Sequence, residues 1–345
     1  VLFLFEQTSA ALESWFVERG LPRYRARQVR HQFFWKRARS FGEMTDLPVA
    51  LREELSEQLK TWTTQVVTHQ KSSDGTEKLL LGLADGQRVE CVLLRSDKKR
   101  RTICISTQVG CAMGCVFCAS GMDGLVRNLT TGEIIEQMLQ LQLLLDVDER
   151  LSHIVVMGMG EPLSNLDRLL SALAVAGAED GLRIGDRRVT ISTVGMPVGI
   201  RRLATVDRQY HLAVSLHAPN DQLRDELVAA NRKIGIGPIL EAAREYFDKT
   251  GRRVTFEYVV MSEVNDRSDH AMQLAALFRG QPVLINLIPY NPVHGLPFRT
   301  PSAEVTHHFA DILTRAGVNV IVRHLKGDQI NAACGQLRRS QASSS

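Results

Sequence analysis

Cys111-Ala112-Met113-Gly114-Cys115-Val116-Phe117-Cys118 places three cysteines within eight residues, with three and then two residues between them. One loop carrying thiols at that spacing can wrap a single inorganic centre without help from distant parts of the chain. Structural zinc takes four protein ligands, and most electron-carrying iron–sulfur clusters take four cysteines. No further Cys or His follows Cys118 until His153. Three thiolates on an iron–sulfur cluster leave one iron open to a substrate or cofactor, which is a catalytic arrangement. The structural alternatives are a zinc knuckle, a disulfide pair or inert buried thiols, and the motifs downstream weigh against all three.

Outward from that loop, the composition is that of a globular protein: 345 residues, 44% hydrophobic and 23% charged. The length allows about two domains, although a barrel can absorb much of the chain as one. No run of about eighteen apolar residues exists, so no membrane span is expected. The opening Val-Leu-Phe-Leu-Phe is too short for a signal peptide and lacks a basic flank. Six cysteines, three of them clustered, fit a reducing cytoplasm better than a disulfide scaffold. Net charge is only +4, but Arg23 to Arg39 holds seven Lys or Arg and no acid, interleaved with Tyr24, Phe33, Phe34 and Trp35. Lys98-Lys99-Arg100-Arg101 is a second basic cluster. Such stretches can neutralise phosphates and stack on bases, or form a solvated helix face over an aromatic core stripe.

Helical patterns are expected over Thr8 to Arg19, Tyr24 to Ala38 and Pro48 to Thr61, giving a small helical accessory domain over 1–62. Strand texture then appears at Gln65-Val-Val-Thr, Lys78 to Leu83 and Arg88 to Leu94, with Ser73-Asp74-Gly75 and Asp85-Gly86 as turns, a β-linker over 63–95. From 96 to 325, strands beginning near Thr102, His153, Val189, His211, Val254, Val283 and Asn319 alternate with helices. The clearest helix is Gly132 to Leu145, with a Thr130/Glu133 capping box. Roughly six such repeats predict an α/β fold, a partial (β/α)6 barrel, with chemistry on the loops after the strands. Residues 326–345 form a tail carrying Cys334.

The polar motifs fall on those loops. Gly158-Met159-Gly160-Glu161-Pro162 follows the second barrel strand, where glycines permit close approach to the backbone and the carboxylate can accept from an amino group. Ser192 ends the third strand, Ser215-Leu216-His217 the fourth, and Asn291 follows the sixth. Singly, each reads as a turn cap or a hydrogen-bonded core residue; as a ring on one barrel face, they read as ligand contacts.

The cysteine motif with the glycine turn resembles the radical S-adenosylmethionine (SAM) enzymes. Gln108-Val-Gly-Cys111, Arg127-Asn128-Leu129, Met157 to Pro162, Ser215-Leu-His-Ala-Pro-Asn220, Asn286-Leu-Ile-Pro-Tyr-Asn291-Pro292 and Ala332-Ala-Cys334-Gly-Gln336 then occur in order. Together with Arg25-Ala-Arg-Gln28 and Met44-Thr-Asp-Leu47, they resemble the RlmN/Cfr family of radical SAM RNA methyltransferases, over residues 6 to 338. The resemblance implies a radical SAM barrel fold and methylation of carbon 2 of adenine in 23S rRNA, and in tRNA, with two SAM molecules per turnover. It implies that Cys111, Cys115 and Cys118 hold a [4Fe-4S] cluster. Gly160, Glu161, Ser192, Ser215, Leu216, His217 and Asn291 match the family's SAM contacts.

By the same resemblance, one SAM methylates Cys334 and a second is cleaved reductively to a radical that activates that methyl group. The resulting carbon radical adds to adenine carbon 2, a poor nucleophile that polar transfer would not methylate. Glu90 matches the base that removes the proton from that carbon. Cys104 matches the thiol that attacks the Cys334 sulfur and releases product as a disulfide. A one-electron reductant such as flavodoxin or ferredoxin is the implied partner. On the residues alone, Glu90 reads as a strand-surface carboxylate, and Cys104 and Cys91 as small buried hydrophobes. Ser120 to Val126 and Val228-Ala-Ala-Asn231 depart from the family's commonest pattern. A Cfr-type enzyme methylating carbon 8 and a non-enzymatic RNA-binding redox sensor are the alternatives; the second leaves Cys334 and the glycine turn unexplained.

Overall fold

The structure is a computed structural model that describes residues 2–96 and 99–323. The chain opens with strand β1 (Leu2–Phe3) and helices α1 (Ser9–Glu18), α2 (Tyr24–Phe34) and α3 (Val49–Gln58). Thr8 starts α1 by accepting from the Ala11 amide at 3.1 Å. Helix α3 stops at Gln58, not Thr61, because β2 (Leu59–Lys60) pairs in parallel with β1. The apolar opening run is core: the Phe5 ring lies 5.4 Å from those of Phe33 and Trp62.

The expected linker strands form β3 (Gln65–Lys71), β4 (Glu77–Gly82) and β5 (Arg88–Arg95), an antiparallel meander. Strand β6 (Arg101–Cys104) pairs antiparallel with β5. The short antiparallel pair β7 (Gln108–Gly110) and β8 (Leu125–Asn128) brackets the cysteine loop. There follow α4 (Thr131–Gln142), β9 (His153–Val156), α5 (Leu166–Gly177), β10 (Val189–Thr193), α6 (Pro197–Ala204) and β11 (His211–Ser215). After α7 (Asp221–Leu227), α8 (Asn231–Ile234) and α9 (Ile236–Thr250) come β12 (Thr255–Val260), α10 (Ser268–Phe278), β13 (Leu284–Pro289), α11 (Ala303–Arg315) and β14 (Val320–Val322).

Among the described residues, ten strands form one sheet in the order β14-β13-β12-β11-β10-β9-β6-β5-β4-β3. The parallel run from β6 to β14 is a set of six β/α units closed by a last strand, the expected partial barrel. The meander extends the same sheet instead of leading into it. Side chains alternate across each strand. Ile154, Val156, Ile191, Leu212, Val214, Phe256, Tyr258, Ile285 and Leu287 point outward and are buried under the helices. The inward positions are left for smaller and polar groups.

Helix α4 joins the two ends of the fold. Thr130 Oγ1 accepts from the Glu133 amide at 3.2 Å, and the Glu133 carboxylate accepts from the Thr130 amide at 2.9 Å. Glu136, also on α4, is 1% exposed and accepts from the Thr63 and Thr64 amides at 2.9 and 2.8 Å. Gly132 N–H donates to Glu6 Oε1 at 2.9 Å. Thr130→Ala is expected to cost about 1 kcal/mol; urea unfolding reads it, and an unshifted midpoint would show the cap to be redundant.

Much of the basic, aromatic stretch turns inward. Phe33 and Phe34 are core, and Arg30, 3% exposed, pairs with Asp180 at 2.6 Å. Arg37 donates to the Leu145 and Asp146 carbonyls, and Trp35 Nε1 to the Gly181 carbonyl. Arg23 and Arg27 share Glu13. The stretch serves largely to dock α2 on the barrel, leaving exposed Tyr24, His31, Lys36 and Arg39 outside.

Candidate active site

The cysteine loop is held at both ends. Gly110, with φ +77°, closes it: a Cβ there would lie 2.0 Å from the Gly124 carbonyl oxygen, so only glycine fits. Cys111 N–H donates to that same oxygen at 2.9 Å. At the far side, Val116 N–H donates to the Leu227 carbonyl at 3.0 Å and Ala230 N–H to the Met113 carbonyl at 3.2 Å. Cys115 also forms an isolated antiparallel bridge with Val228. Thus Val228-Ala-Ala-Asn231, the segment that departs from the commonest family pattern, is the surface on which the loop rests.

Arg224 braces the platform. Fully buried, it donates to the Leu216 and Ser215 carbonyls at 3.0 and 3.1 Å and to Val194 O and Asn231 Oδ1. Burial pulls its pKa down to about 10, which still leaves it cationic at neutral pH. It is the cation that lowers the pKa of Cys115, against burial and the neighbouring thiolates of Cys118 and Cys111, which raise it. Burial likewise pushes the Cys111 thiol up to about 11.

Among the described residues, no three His, Cys, Asp or Glu groups already converge in metal-holding geometry. The donor set nevertheless fits a cluster. Three thiols share one loop, each of Cys111 and Cys115 feels the charge of Cys118, and their deprotonation is disfavoured without a cation to offset it. Ser120, 4% exposed, keeps a buried hydroxyl without a partner beside them.

The glycine turn is packed tightly against its neighbours. A Cβ on Gly160, at φ +103°, would meet Gln108 Cβ at 2.5 Å, so this glycine admits the neighbouring strand. Glu161, 2% exposed, accepts from Leu163 N–H at 3.0 Å, Thr193 Oγ1–H at 2.7 Å and Val194 N–H at 2.8 Å. Its carboxylate ties the β9 loop to the end of β10, with about one of four acceptor sites left for a ligand amino group. Burial raises its pKa, which those hydrogen bonds oppose.

Ser192 and Ser215 converge, their hydroxyl oxygens 3.4 Å apart. Ser192 also donates to Glu257 Oε2 at 2.9 Å, a 5% exposed carboxylate absent from the sequence-based set. Its signal was a charged residue at an inward position of an otherwise apolar strand, Thr255-Phe-Glu-Tyr. Leu216 is fully buried, and its N–H reaches the Glu257 carbonyl at 2.9 Å. His217 adopts φ +61°, and its Nδ1 accepts from Val259 N–H at 3.1 Å. Burial, aided by Arg224, depresses the ring to about 3, so it is neutral. It is hydrogen-bonded on its Nδ1 side, and its Nε2 carries the proton. Asn291 is half-buried.

Glu90 is not on a strand surface. It is 1% exposed and pairs with equally buried Lys78 at 2.9 Å. Cys104 is opposite Val92, two residues along β5 from Glu90, so strand alternation puts both side chains on one face. That face is the barrel interior, where Cys104 packs with Val92 and Val155. Cys91 points to the outer core, as a small hydrophobe would. Cys334 lies outside the described residues.

Residues 105–275 match the family model of the radical SAM superfamily, and residues 3–60 match the ribosomal RNA large subunit methyltransferase N-terminal domain. A probable dual-specificity RNA methyltransferase RlmN of Rhodopirellula baltica is 60% identical over 96% of this chain and 89% of its own length. One from Pelotomaculum thermopropionicum is 47% identical over 97% and 91%. A radical SAM methyltransferase from Sphaerobacter thermophilus has a crystal structure that superposes with a TM-score of 0.94, at 44% identity, covering 97% of this chain and 99% of that one.

Proposed function

The chain is a radical SAM RNA methyltransferase of the RlmN family, and from that premise we propose that it methylates carbon 2 of adenine in 23S rRNA and in tRNA. Membership brings a [4Fe-4S] cluster and SAM as cofactors and RNA as substrate. The carrying observation is that Glu90 and Cys104, on the neighbouring strands β5 and β6, face one barrel interior.

Cys111, Cys115 and Cys118 would hold the cluster, and Arg224 fixes the platform under their loop. With SAM bound, the cluster supplies the electron that generates the 5′-deoxyadenosyl radical. Glu161, Ser192, Ser215, Leu216, His217 and Asn291, with Gly160 shaping the turn, would line the SAM site. Cys334 accepts a methyl group from one SAM and delivers it to adenine as a carbon radical, so each turnover uses two SAM molecules. Glu90 takes the proton from carbon 2. Loss of that proton, with the adduct's unpaired electron returning to the oxidised cluster, would restore the aromatic ring. The Cys104 thiolate then attacks the Cys334 sulfur, the sulfur–carbon bond breaks with its electron pair left on the methylene carbon, that carbon takes up a proton to become the methyl group, and a Cys104–Cys334 disulfide remains.

Residues 1–62 would act as the RNA-facing accessory domain, 63–95 as the β-segment supplying Glu90, 96–325 as the radical core and 326–345 as the tail presenting Cys334. The proposed setting is the cytoplasm, with a flavodoxin or ferredoxin as donor; among the described residues no helix is long and apolar enough to cross a membrane.

The test uses anaerobically reconstituted protein, reductant, SAM and an rRNA fragment, with products separated against 2-methyladenosine and 8-methyladenosine standards. Release of 5′-deoxyadenosine with 2-methyladenosine supports the reading, and 8-methyladenosine replaces it with the Cfr-type reaction. Cys118→Ala is expected to lose the cluster's visible absorbance and all deoxyadenosine release. Retention of both would remove Cys118 from the cluster.

A further inference from the structure

The barrel has a second mouth, at the strand N-termini, away from the cysteine loop. A cavity of about 690 Å³ opens there, reached by the first residues of β9, β11, β12 and β13. Its rim carries Arg100, Arg187, Arg188, Arg252 and Arg253, with His153 and His211, and no carboxylate among the described residues lines it. On β11, His211 at this mouth and Ser215 at the other are four residues apart, about 13 Å along a strand.

Several surface arginines elsewhere, such as Arg201, Arg267 and Arg299, have acidic partners; these five form no ion pair with any described residue. Arg187 donates to Gln209 at 2.6 Å and Arg100 to Thr102 at 3.1 Å, both neutral acceptors. Arg252 lies against His211, with Nη2 and the ring Nε2 2.9 Å apart, and its own Nε is buried with no hydrogen-bond partner. The Arg188 and Arg253 side chains are exposed and make no hydrogen bond to a described residue. The neighbouring acid Asp186 is engaged by Arg208. The field is felt locally: His153 is held down to about 4, by burial first and then by Arg100 and Arg188.

Five permanent cations around one concavity repel one another, and low-dielectric walls concentrate their field. Guanidinium groups match phosphate geometry with paired N–H donors. We propose that this basin binds phosphate oxyanions, presented by the RNA backbone or by a free polyphosphate. The first source rests on the RNA methyltransferase reading; the second does not. If RNA is the source, the enzyme grips its substrate at both ends of the barrel, with the basin holding backbone while the other mouth handles the base.

The test compares reconstituted wild-type holoenzyme with Arg188→Glu/Arg253→Glu, both exposed, and with Arg279→Glu/Arg315→Glu, which changes net charge equally elsewhere. Binding of a fluorescein-labelled tRNA transcript is followed against salt, and tripolyphosphate binding by calorimetry. SAM cleavage without RNA serves as the folding control and should be unchanged. For an RNA site, the basin pair weakens tRNA binding about tenfold and lowers the slope of log K against log salt by about two, while the control pair does neither. For a polyphosphate site, calorimetric binding disappears in the basin pair alone and the RNA slope stays. Equal losses in the two pairs, or no loss in either titration, overturns the proposal. Failure of wild type to methylate any RNA would sink the substrate reading instead, leaving the tripolyphosphate comparison intact.

Discussion

Cys104→Ala protein is expected to couple to RNA and then stop. The substitution removes one sulfur from a small apolar cluster with Val92 and Val155, so the barrel should keep its shape, its cysteine loop and its SAM contacts. In the proposed mechanism, every step up to carbon–carbon bond formation depends on Cys334 and the loop cysteines. Release alone needs a second thiol to attack the Cys334 sulfur. The expected result is a ribonuclease-sensitive, slower-migrating protein band, normal 5′-deoxyadenosine in the first turnover and no free methylated nucleoside. Cys334→Ala in the same assay should give neither band nor product. Free 2-methyladenosine from Cys104→Ala at the wild-type rate would reduce Cys104 to a packing residue and require another resolving group.

That Cys104 and Glu90 share the barrel interior was half legible in the sequence. Strand alternation is a period-two signal, and the starts of β9, β10 and β11 fell where apolar runs placed them. The cysteine loop was legible because its ligands are local. Register was not legible. Whether Glu90 faces solvent or the barrel depends on which residue of β4 and β6 it meets, and a one-residue slip reverses the answer. Partners distant in sequence were equally hidden. Arg30 reads as part of a basic stripe, yet Asp180, 150 residues on, neutralises it. Arg224, in the charged run Asp221-Gln-Leu-Arg-Asp, gives no hint that it is fully buried beneath the cysteine loop. Conversely, Arg100, Arg187-Arg188 and Arg252-Arg253 come from three separate stretches of the chain; the barrel assembles them because each precedes or begins near a strand. Basic composition therefore pointed first to α2, where much of the charge is structural, and only through Arg100 to the mouth.

The second large effect separates structure from chemistry at Glu90. Lys78 and Glu90 are taken out of water together, at 0% and 1% side-chain exposure. Desolvating such charges is costly, and their attraction at 2.9 Å offsets that cost only while both are present. Lys78→Met, which strands the carboxylate's charge, is expected to destabilise the protein by about 3–5 kcal/mol, read as a fall in the urea midpoint. Lys78→Met/Glu90→Leu removes both charges and should recover most of that loss, because well-packed apolar replacements of buried pairs are often neutral. Stability recovered in this way should not restore turnover. With no base at position 90, proton removal from the adenine adduct should slow by about 10²–10⁴, and the covalent RNA–protein band should accumulate as in Cys104→Ala. Glu90→Gln gives the complementary case, with the shape kept and the basicity lost. If the double variant is stable and releases 2-methyladenosine at the wild-type rate, the pair is a structural rivet and the base lies elsewhere. If it is stable and stalls at the adduct, Lys78 is the residue that makes a buried carboxylate tolerable, and Glu90 is the residue for which that arrangement exists.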